Sequence, residues 1–249
     1  MRSKPPKLID VSIESIGSDG IGVAKVENRT VRVKNALPGE SVSARVLRSR
    51  KGEWLSEALE VSRPASLRID PPCSYYPRCG GCAMQHLAYD SQIELKQQRL
   101  LDELSAVGVQ PLVVNPATLG PRLNYRTKAR FGVRLVDGQV LVGFRESFSS
   151  RVSRMDGCLT LVSPVARLLA PLQRLIAALS CPDRIPQVEV AAGDGSSALI
   201  FRHLEAFTEP DQQLIEEFAH THQVKCFGQS GSVATVRPLS ASARMPYLG

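Results

Sequence analysis

The chain has 249 residues and a net charge of +7, with 31 lysine and arginine residues against 24 aspartate and glutamate residues. Hydrophobic residues make up 43% of it and charged residues 22%, which allows one or two compact domains with a normal core. No stretch approaches the roughly 18 apolar residues of a membrane span, and the basic N-terminus lacks the apolar run of a secretion signal. We therefore expect a cytoplasmic monomer with no membrane contact and an anionic large partner.

Residues 8–62 contain five short β-like runs separated by glycine, asparagine and proline. Strands this short and this closely spaced predict a small closed barrel of the oligonucleotide-binding kind. The segments 17–22 and 37–40 supply its sharp corners. The fourth run and the loop after it carry a cationic edge made of Arg45, Arg48, Arg50 and Lys51.

The stretch from Ile13 to Val61 also resembles a TRAM domain, an RNA-binding barrel attached to several enzymes that modify tRNA and rRNA. The resemblance is carried by Gly-Ile-Gly-Val-Ala at 20–24 and Leu-Pro-Gly-Glu at 37–40, in that order. It implies an RNA-binding barrel over residues 8–66, preceded by an N-terminal tail at 1–7. The cationic edge is then a candidate RNA contact, because lysine and arginine side chains bind phosphates.

Three of the six cysteines, Cys73, Cys79 and Cys82, lie within ten residues of one another. In a reducing compartment such thiols indicate metal ligands or free thiols before disulfides. The glycines at 80–81 allow the backbone of the loop to approach an inorganic centre closely. The candidates for a fourth ligand are Cys158, Cys181 and Cys226. Four thiolates also suit a zinc ion, but three clustered cysteines and one distant cysteine favour an iron–sulfur cluster.

The segment after this loop predicts an amphipathic helix at about 91–107, with Ser91 and Glu94 as a capping box and Gly108 as its end. A hairpin follows, with its turn at Asp137-Gly138. On its first strand, the period of two predicts one apolar and one basic face. The basic face contains Arg126, Lys128, Arg130 and Arg134, within a segment at 122–154 that holds eight basic residues and two acidic ones.

In the second half of the chain, Ser163 and Pro164 open a predicted helix with a broad apolar face, which Pro182 closes. A second hairpin around Asp194-Gly195, a helix near 210–220 and two short strands follow. We expect an α+β fold with mainly antiparallel pairing. In this fold the barrel precedes a mixed α+β central domain at 67–249, which carries the cysteine loop.

The cysteine loop, Cys-x5-Cys-Gly-Gly-Cys followed by Gln85-His86, resembles that of the bacterial 23S rRNA uracil-5-methyltransferases. These enzymes are the TRAM-bearing, iron–sulfur branch of the RNA uracil-5-methyltransferase family. Their fourth cysteine lies just ahead of a leucine-rich helix, the place that Cys158 has here. The resemblance implies ribosomal RNA as the partner and S-adenosylmethionine as the methyl donor. It also implies a 4Fe-4S cluster bound by Cys73, Cys79, Cys82 and Cys158.

That family holds its catalytic residues in a C-terminal Rossmann-like domain with a nucleophilic Cys-Asn-Pro segment. This sequence contains no Cys-Asn-Pro segment, and its one glycine-rich stretch, at 191–196, is better explained as a hairpin turn. We therefore expect the Rossmann-like domain, which would bind S-adenosylmethionine and cover the helix at 91–107, to be absent. This chain should then hold no catalytic residue and be inactive by itself. The alternative is a stand-alone iron–sulfur module that binds RNA or senses redox conditions.

Overall fold

The computed structural model describes residues 7–76, 78–193 and 195–243, and the chain divides into two compact units. The first unit ends at Leu119 and the second begins at Gly120. The cysteine loop and the helix after it therefore lie in the same compact unit as the N-terminal strands. Two predicted features fall partly outside the described residues: the N-terminal tail, of which only Lys7 is described, and Asp194 in the turn of the second hairpin.

The first unit is built on a six-stranded sheet with the order β1-β5-β6-β4-β3-β2. Its strands are Leu8–Ser12 (β1), Ser15–Ile16 (β2), Gly22–Val26 (β3), Arg29–Lys34 (β4), Ser41–Arg50 (β5) and Glu53–Arg63 (β6). The two edge strands, β1 and β2, are consecutive in the chain, and the Glu14 amide between them donates to the Val23 carbonyl at 2.9 Å. Because one edge strand runs directly into the other, the edges of the sheet meet and the sheet closes into a barrel.

Alternation along the strands places small and β-branched side chains inside this barrel. The inward residues are fully or almost fully buried, namely Val11, Ile13, Ala24, Val31, Val33, Ala36, Val42 and Ala44. The partly buried ring of Trp54 packs against the same cluster. Gly22 has to be glycine, since a Cβ there would lie 2.8 Å from the Ala36 carbonyl oxygen.

The helix of the first unit, Tyr89–Ala106 (α1), begins two residues earlier than predicted. Its N-cap is Ala88, and no side chain caps it, so the predicted capping box of Ser91 and Glu94 is wrong. The early start of the helix is explained by a tertiary contact. The Ala88 amide donates to the Leu67 carbonyl at 2.9 Å, which fixes the chain in an extended conformation up to that residue. Ser91 therefore falls inside the first turn instead of preceding it.

The second unit contains a six-stranded sheet with the order β12-β11-β10-β9-β7-β8. Its strands are Lys128–Val136 (β7), Gln139–Gly143 (β8), Gln187–Gly193 (β9), Ser196–Arg202 (β10), Val224–Gln229 (β11) and Val236–Pro238 (β12). The predicted hairpin of β7 and β8 is confirmed: Asp137 and Gly138 have φ values of 49° and 76°. Positive φ at both turn residues matches the right-handed twist of the flanking strands. The pairings between these named strands are antiparallel apart from β10 with β11 and, in the first unit, β4 with β6.

Three α-helices accompany this sheet in the described residues, Ser163–Ala166 (α2), Leu169–Ala178 (α3) and Glu209–His222 (α4). The single helix predicted after Ser163 is thus two helices. Pro171 explains the break, because a proline near the start of a helix is tolerated whereas one in its interior removes a hydrogen bond and clashes. The predicted apolar face is nevertheless buried, including Val165, Leu168, Leu169, Leu172, Leu175, Ile176 and Leu179. No helix in the described ranges is both long and apolar enough to span a bilayer.

The start of α4 is fixed by a buried carboxylate. Asp211 is 3% exposed and accepts hydrogen bonds from the Ser180 amide and hydroxyl at 2.8 and 2.6 Å and from the Thr208 amide at 3.0 Å. Burial by itself would raise the pKa of Asp211, but these bonds outweigh it and lower the pKa to about 2. The charged carboxylate therefore ties the end of the α3 region to the first turn of α4.

Candidate functional site

The cysteine loop rests on a buried lysine of the barrel. Lys34, the last residue of β4, is 4% exposed, and its ammonium donates to the carbonyl oxygens of Tyr76 and Cys79 at 3.3 and 3.1 Å. A buried charge is costly unless such bonds satisfy it. The loop thus supplies acceptors for this ammonium, and the barrel places a positive charge beside the backbone of Tyr76 and Cys79.

A buried tyrosine and histidine hold the two ends of the loop together. The Tyr76 hydroxyl donates to the Ala83 carbonyl at 2.7 Å and lies 2.6 Å from His86 Nδ1. Because the carbonyl can only accept, the phenol proton goes to it, and His86 Nδ1–H donates to the phenol oxygen. Burial, followed by the charge of Arg68, lowers the pKa of His86 to about 4, so the imidazole is neutral at pH 7. Burial and then the charge of Cys82 raise the pKa of Tyr76, which keeps the phenol protonated.

This arrangement gives a first testable prediction. Replacing Tyr76 with phenylalanine leaves the Ala83 carbonyl and the His86 N–H without their partner in a buried place, which should cost about 1–3 kcal/mol. Urea unfolding followed by tryptophan fluorescence measures this cost, because the single tryptophan, Trp54, lies in the same unit. Tyr125→Phe, in the second unit, is the control. Equal midpoints for Tyr76→Phe and the wild type would contradict this role.

An ion pair anchors the segment that precedes the loop. The Glu40 carboxylate is completely buried, and Arg68 donates to both of its oxygens at 2.6 Å from Nε and Nη2. The amides of Leu37 and Ala65 also donate to this carboxylate, at 2.8 and 3.0 Å. Burial raises the pKa of Glu40, but the bonds from Arg68, Ala65 and Leu37 prevail and the net effect lowers it. Glu40 is thus a charged acceptor around which the barrel corner and the start of the loop segment assemble.

The four predicted ligand cysteines differ in exposure. Cys79 is buried, while Cys73, Cys82 and Cys158 are partly exposed. The Gly81 amide donates to Cys79 Sγ at 3.4 Å, the kind of bond that stabilises a thiolate, and Cys158 Sγ lies 3.3 Å from the Thr160 hydroxyl. Within the described ranges, no three cysteine, histidine or acidic side chains are gathered in a way that could hold a metal ion. The set of Cys73, Cys79, Cys82 and Cys158 therefore stays a sequence-based prediction.

The predicted cationic edge lies on β5 and the turn that follows it. Arg45 is half-buried and forms an ion pair with Glu57 directly across on β6, so part of its charge is balanced within the barrel. Arg48, Arg50 and Lys51 are exposed. Lys51 occupies the turn with a φ of 49°, beside Gly52 at 82°. The last three residues thus offer their charge to solvent, whereas Arg45 also stabilises the sheet.

The basic ladder of the second unit lies on β7 and just before it. Lys128, Arg130 and Arg134 are exposed on the strand, and Arg130 forms a 3.0 Å ion pair with Glu189 of β9. Arg126 precedes the strand and places its guanidinium 5.2 Å from the centre of the Phe144 ring. The predicted two-faced pattern holds at the start of the strand, where Phe131 is buried, but Leu135 is 43% exposed at its end. This surface is basic, and its four cations are not equivalent.

Sequence reasoning missed the groups that hold the cysteine loop in place, Lys34, Glu40 and Arg68. Each is an ordinary charged residue in its local sequence, and burial of an ammonium or carboxylate is visible only in three dimensions. The aromatic residues of the first unit also differ in a way that the sequence does not show: Tyr76 is 2% exposed and belongs to the interior, whereas Trp54 is partly exposed at one end of the barrel.

Comparison with known proteins first identifies the class of the barrel. Residues 2–59 match the model of the TRAM domain family, so the chain carries a TRAM domain. The chain is also 42% identical over 236 residues to a protein of Bordetella pertussis and 43% identical over 241 residues to one of Nitrosococcus oceani. Both relatives are described as 23S rRNA (uracil(1939)-C(5))-methyltransferase RlmD. The close homologues of this chain are therefore 23S rRNA uracil-C5 methyltransferases, and the resemblance predicted from the sequence is confirmed.

These matches cover nearly all of this chain but only about half of each relative. They cover 93% and 95% of this chain but 51% and 54% of the two relatives, so the chain spans about half of their length. A solved structure, the Pyrococcus abyssi tRNA (uracil-54, C5)-methyltransferase in complex with S-adenosyl-L-homocysteine, is similar with a TM-score of 0.60 and 19% identity. This likeness covers 92% of this chain and 54% of that one, and it concerns the fold alone.

These comparisons correct two expectations. The chain was expected to lack a methyltransferase domain and, for that reason, to be inactive by itself. Both expectations are wrong, because relatives described as 23S rRNA uracil-C5 methyltransferases match 93% and 95% of the chain, and its fold is like that of a methyltransferase over 92% of its length. The error had a simple cause. The expectations were drawn from one missing motif and from a glycine-rich stretch explained as a hairpin turn, and neither is a physical observation about the fold of the whole chain.

Proposed function

We propose that this protein acts as an S-adenosylmethionine-dependent methyltransferase that modifies C5 of a uracil in 23S rRNA. The observation that carries the proposal is the identity of more than 40% with 23S rRNA uracil-C5 methyltransferases over more than 90% of the chain. The TRAM domain and the net charge of +7 support an RNA substrate, because phosphates are the dominant attraction between a basic protein and RNA. A protein with this substrate works in the cytoplasm, and we propose that it does so as a monomer.

We propose that the exposed cations of the two basic surfaces bind RNA phosphates. The first surface is the cationic edge, Arg45, Arg48, Arg50 and Lys51, in the TRAM barrel. The second is the basic ladder, Arg126, Lys128, Arg130 and Arg134, in the domain that follows the barrel from about residue 67. Exposure supports this role for Arg48, Arg50, Lys51, Lys128 and Arg134. Arg45 and Arg130 should contribute less, since each is already paired with a glutamate.

We further propose that Cys73, Cys79, Cys82 and Cys158 bind a 4Fe-4S cluster, as the sequence resemblance implies. The chemistry of the loop fits a thiolate-bound centre: a backbone N–H points at Cys79 Sγ, and the buried Lys34 ammonium lies beneath the loop. The described residues contain no gathered group of three ligands, so the proposal rests on residue type and spacing. When bound, the cluster would be held by these four thiolates, and this chain's own residues would orient the loop that carries three of them.

The proposed reaction is tested by incubating the protein with S-adenosylmethionine labelled in its methyl group and with unmodified 23S rRNA. We expect label at C5 of a uridine, with no label when the same RNA is already methylated at that carbon. RNA binding is measured in parallel by filter retention over a range of salt concentrations, since neutralised phosphates make binding salt-dependent. RNA that is bound without receiving label would contradict the transfer step. The absence of both RNA binding and label would contradict the whole proposal.

A further inference from the structure

Trp54 lies at one end of the TRAM barrel, between the interior and the solvent. It is the second residue of β6, with Val31 of β4 and Ser49 of β5 as its neighbours in the sheet. Its ring packs on the buried core cluster, yet the side chain is only partly buried. The indole therefore forms part of the end wall of the barrel, with an aromatic surface beyond the aliphatic core.

Two cations cover this aromatic surface. Lys7 Nζ lies 3.9 Å from the centre of the Trp54 ring, and the Arg29 guanidinium carbon lies 5.4 Å from it. Arg29 has this position because it is two residues before the inward-facing Val31, and alternate residues of a strand share a face. Lys7 is held by its own carbonyl, which accepts from the Val46 amide at 2.8 Å. The backbone thus places both cations, while their long side chains can move.

The charges of these two cations are not balanced by the barrel. Among the residues that the structure describes, neither Lys7 nor Arg29 forms an ion pair with a carboxylate. This differs from Arg45, which is paired with Glu57, and from Arg68, which is paired with Glu40. The hairpin end next to Trp54 adds three exposed cations, Arg48, Arg50 and Lys51. The end of the barrel therefore combines one aromatic ring with unbalanced positive charge.

We propose that Trp54, Lys7 and Arg29 form a binding site for one unpaired nucleotide of RNA. The base stacks on the indole in place of the lysine side chain, and Lys7 and Arg29 turn to the phosphates on either side of it. A nucleotide fits because it joins a flat π-system to an anionic phosphate. The indole is complementary to the first and the two cations are complementary to the second. A base in a duplex does not fit, because both of its faces are already stacked. This inference rests on the proposed RNA-binding function and names the form of RNA that one part of the protein binds.

The single tryptophan makes the site directly observable. The 249-residue protein is titrated with an unlabelled 12-nucleotide single-stranded RNA and, separately, with a blunt 12-base-pair RNA duplex, while tryptophan emission is recorded. We expect saturable quenching by the single strand and little change with the duplex. The Kd from quenching should equal the Kd measured by fluorescence anisotropy with the same single strand carrying a terminal dye.

Two substitutions at the same position test the role of the ring. Trp54→Leu should weaken binding of the single strand by roughly 5- to 150-fold, the range for loss of one base–aromatic stack. Trp54→Phe keeps a ring of the same kind and should retain most of the affinity, and it also controls for folding. Both variants should bind the duplex as the wild type does.

The outcomes separate this inference from the proposed function. Anisotropy that reports RNA binding, together with unchanged tryptophan emission and equal affinities for wild type and Trp54→Leu, would overturn the site and leave RNA binding intact. An equal loss of duplex binding in Trp54→Leu would also overturn it, because the ring would then act through the fold. No anisotropy change with either RNA would instead overturn the proposed function.

Discussion

Replacing Cys79 with serine is expected to remove most of the iron from protein purified without oxygen. A serine hydroxyl does not replace a thiolate as a cluster ligand at neutral pH, and a cluster missing one of its four ligands is labile. Cys82→Ser, in the same loop, and Cys158→Ser, in the second unit, should have the same effect. Iron and acid-labile sulfide analysis, together with the visible absorption of the protein, provides the measurement.

Cys181→Ser is the control matched to Cys158→Ser, since Cys181 is partly exposed like Cys158 but lies outside the predicted ligand set. It should leave the iron content at the wild-type level. Wild-type protein that contains zinc and no iron would contradict the cluster and favour the zinc alternative. Unchanged iron in Cys158→Ser would contradict the choice of the fourth ligand and leave the loop ligands in place.

Replacing Arg68 with methionine is expected to destabilise the first unit by about 3–5 kcal/mol, because it leaves the buried Glu40 charge without its partner. Methionine keeps much of the length of the side chain, so the loss is that of two bonds to the carboxylate and one to the Asn35 carbonyl. Urea unfolding followed by Trp54 fluorescence reports on this unit. The control is Glu103→Gln, which breaks an exposed ion pair with Arg99 on α1 and should cost no more than about 0.5 kcal/mol.

The same pair predicts a pH dependence. The pKa of Glu40 is lower in the folded protein than its ordinary value of 4.5. The unfolded chain therefore binds a proton at a higher pH than the folded one. The free energy of unfolding must then decrease as the pH is lowered through that range. The contribution of Glu40 should be complete above about pH 5 and should be lost as the pH falls through its lowered pKa. A similar acid dependence of unfolding in wild type and Glu40→Gln would contradict this assignment.

Several features of the fold could be predicted from sequence because their causes are local. The turn at Asp137 and Gly138 needs positive φ at both residues, and an Asp-Gly pair between two strands predicts such a turn. The apolar face of the helix after Ser163 is visible in the spacing of its leucines, although Pro171 divides that helix in two. The resemblance to 23S rRNA uracil-5-methyltransferases depended on short motifs with fixed spacing, which survive in a sequence wherever the fold places them.

Other features depend on contacts between distant residues and had no local signal. The start of α1 follows from a bond between Ala88 and Leu67, so the capping pattern at Ser91 was misleading. The expectation of a missing methyltransferase domain failed for a related reason. It treated one absent motif as evidence about the whole chain, and the comparisons contradict it.

The sequence by itself determined that this protein has a TRAM domain, a loop of three clustered cysteines, two basic segments and homologues that methylate 23S rRNA. Only the tertiary structure decided which charges are buried, which are balanced and which face solvent. It placed Lys34 beneath a loop more than 40 residues away in the chain and Lys7 and Arg29 over Trp54. The physical reason is that residue type and spacing act along the chain, whereas burial and charge pairing arise only when distant segments pack together.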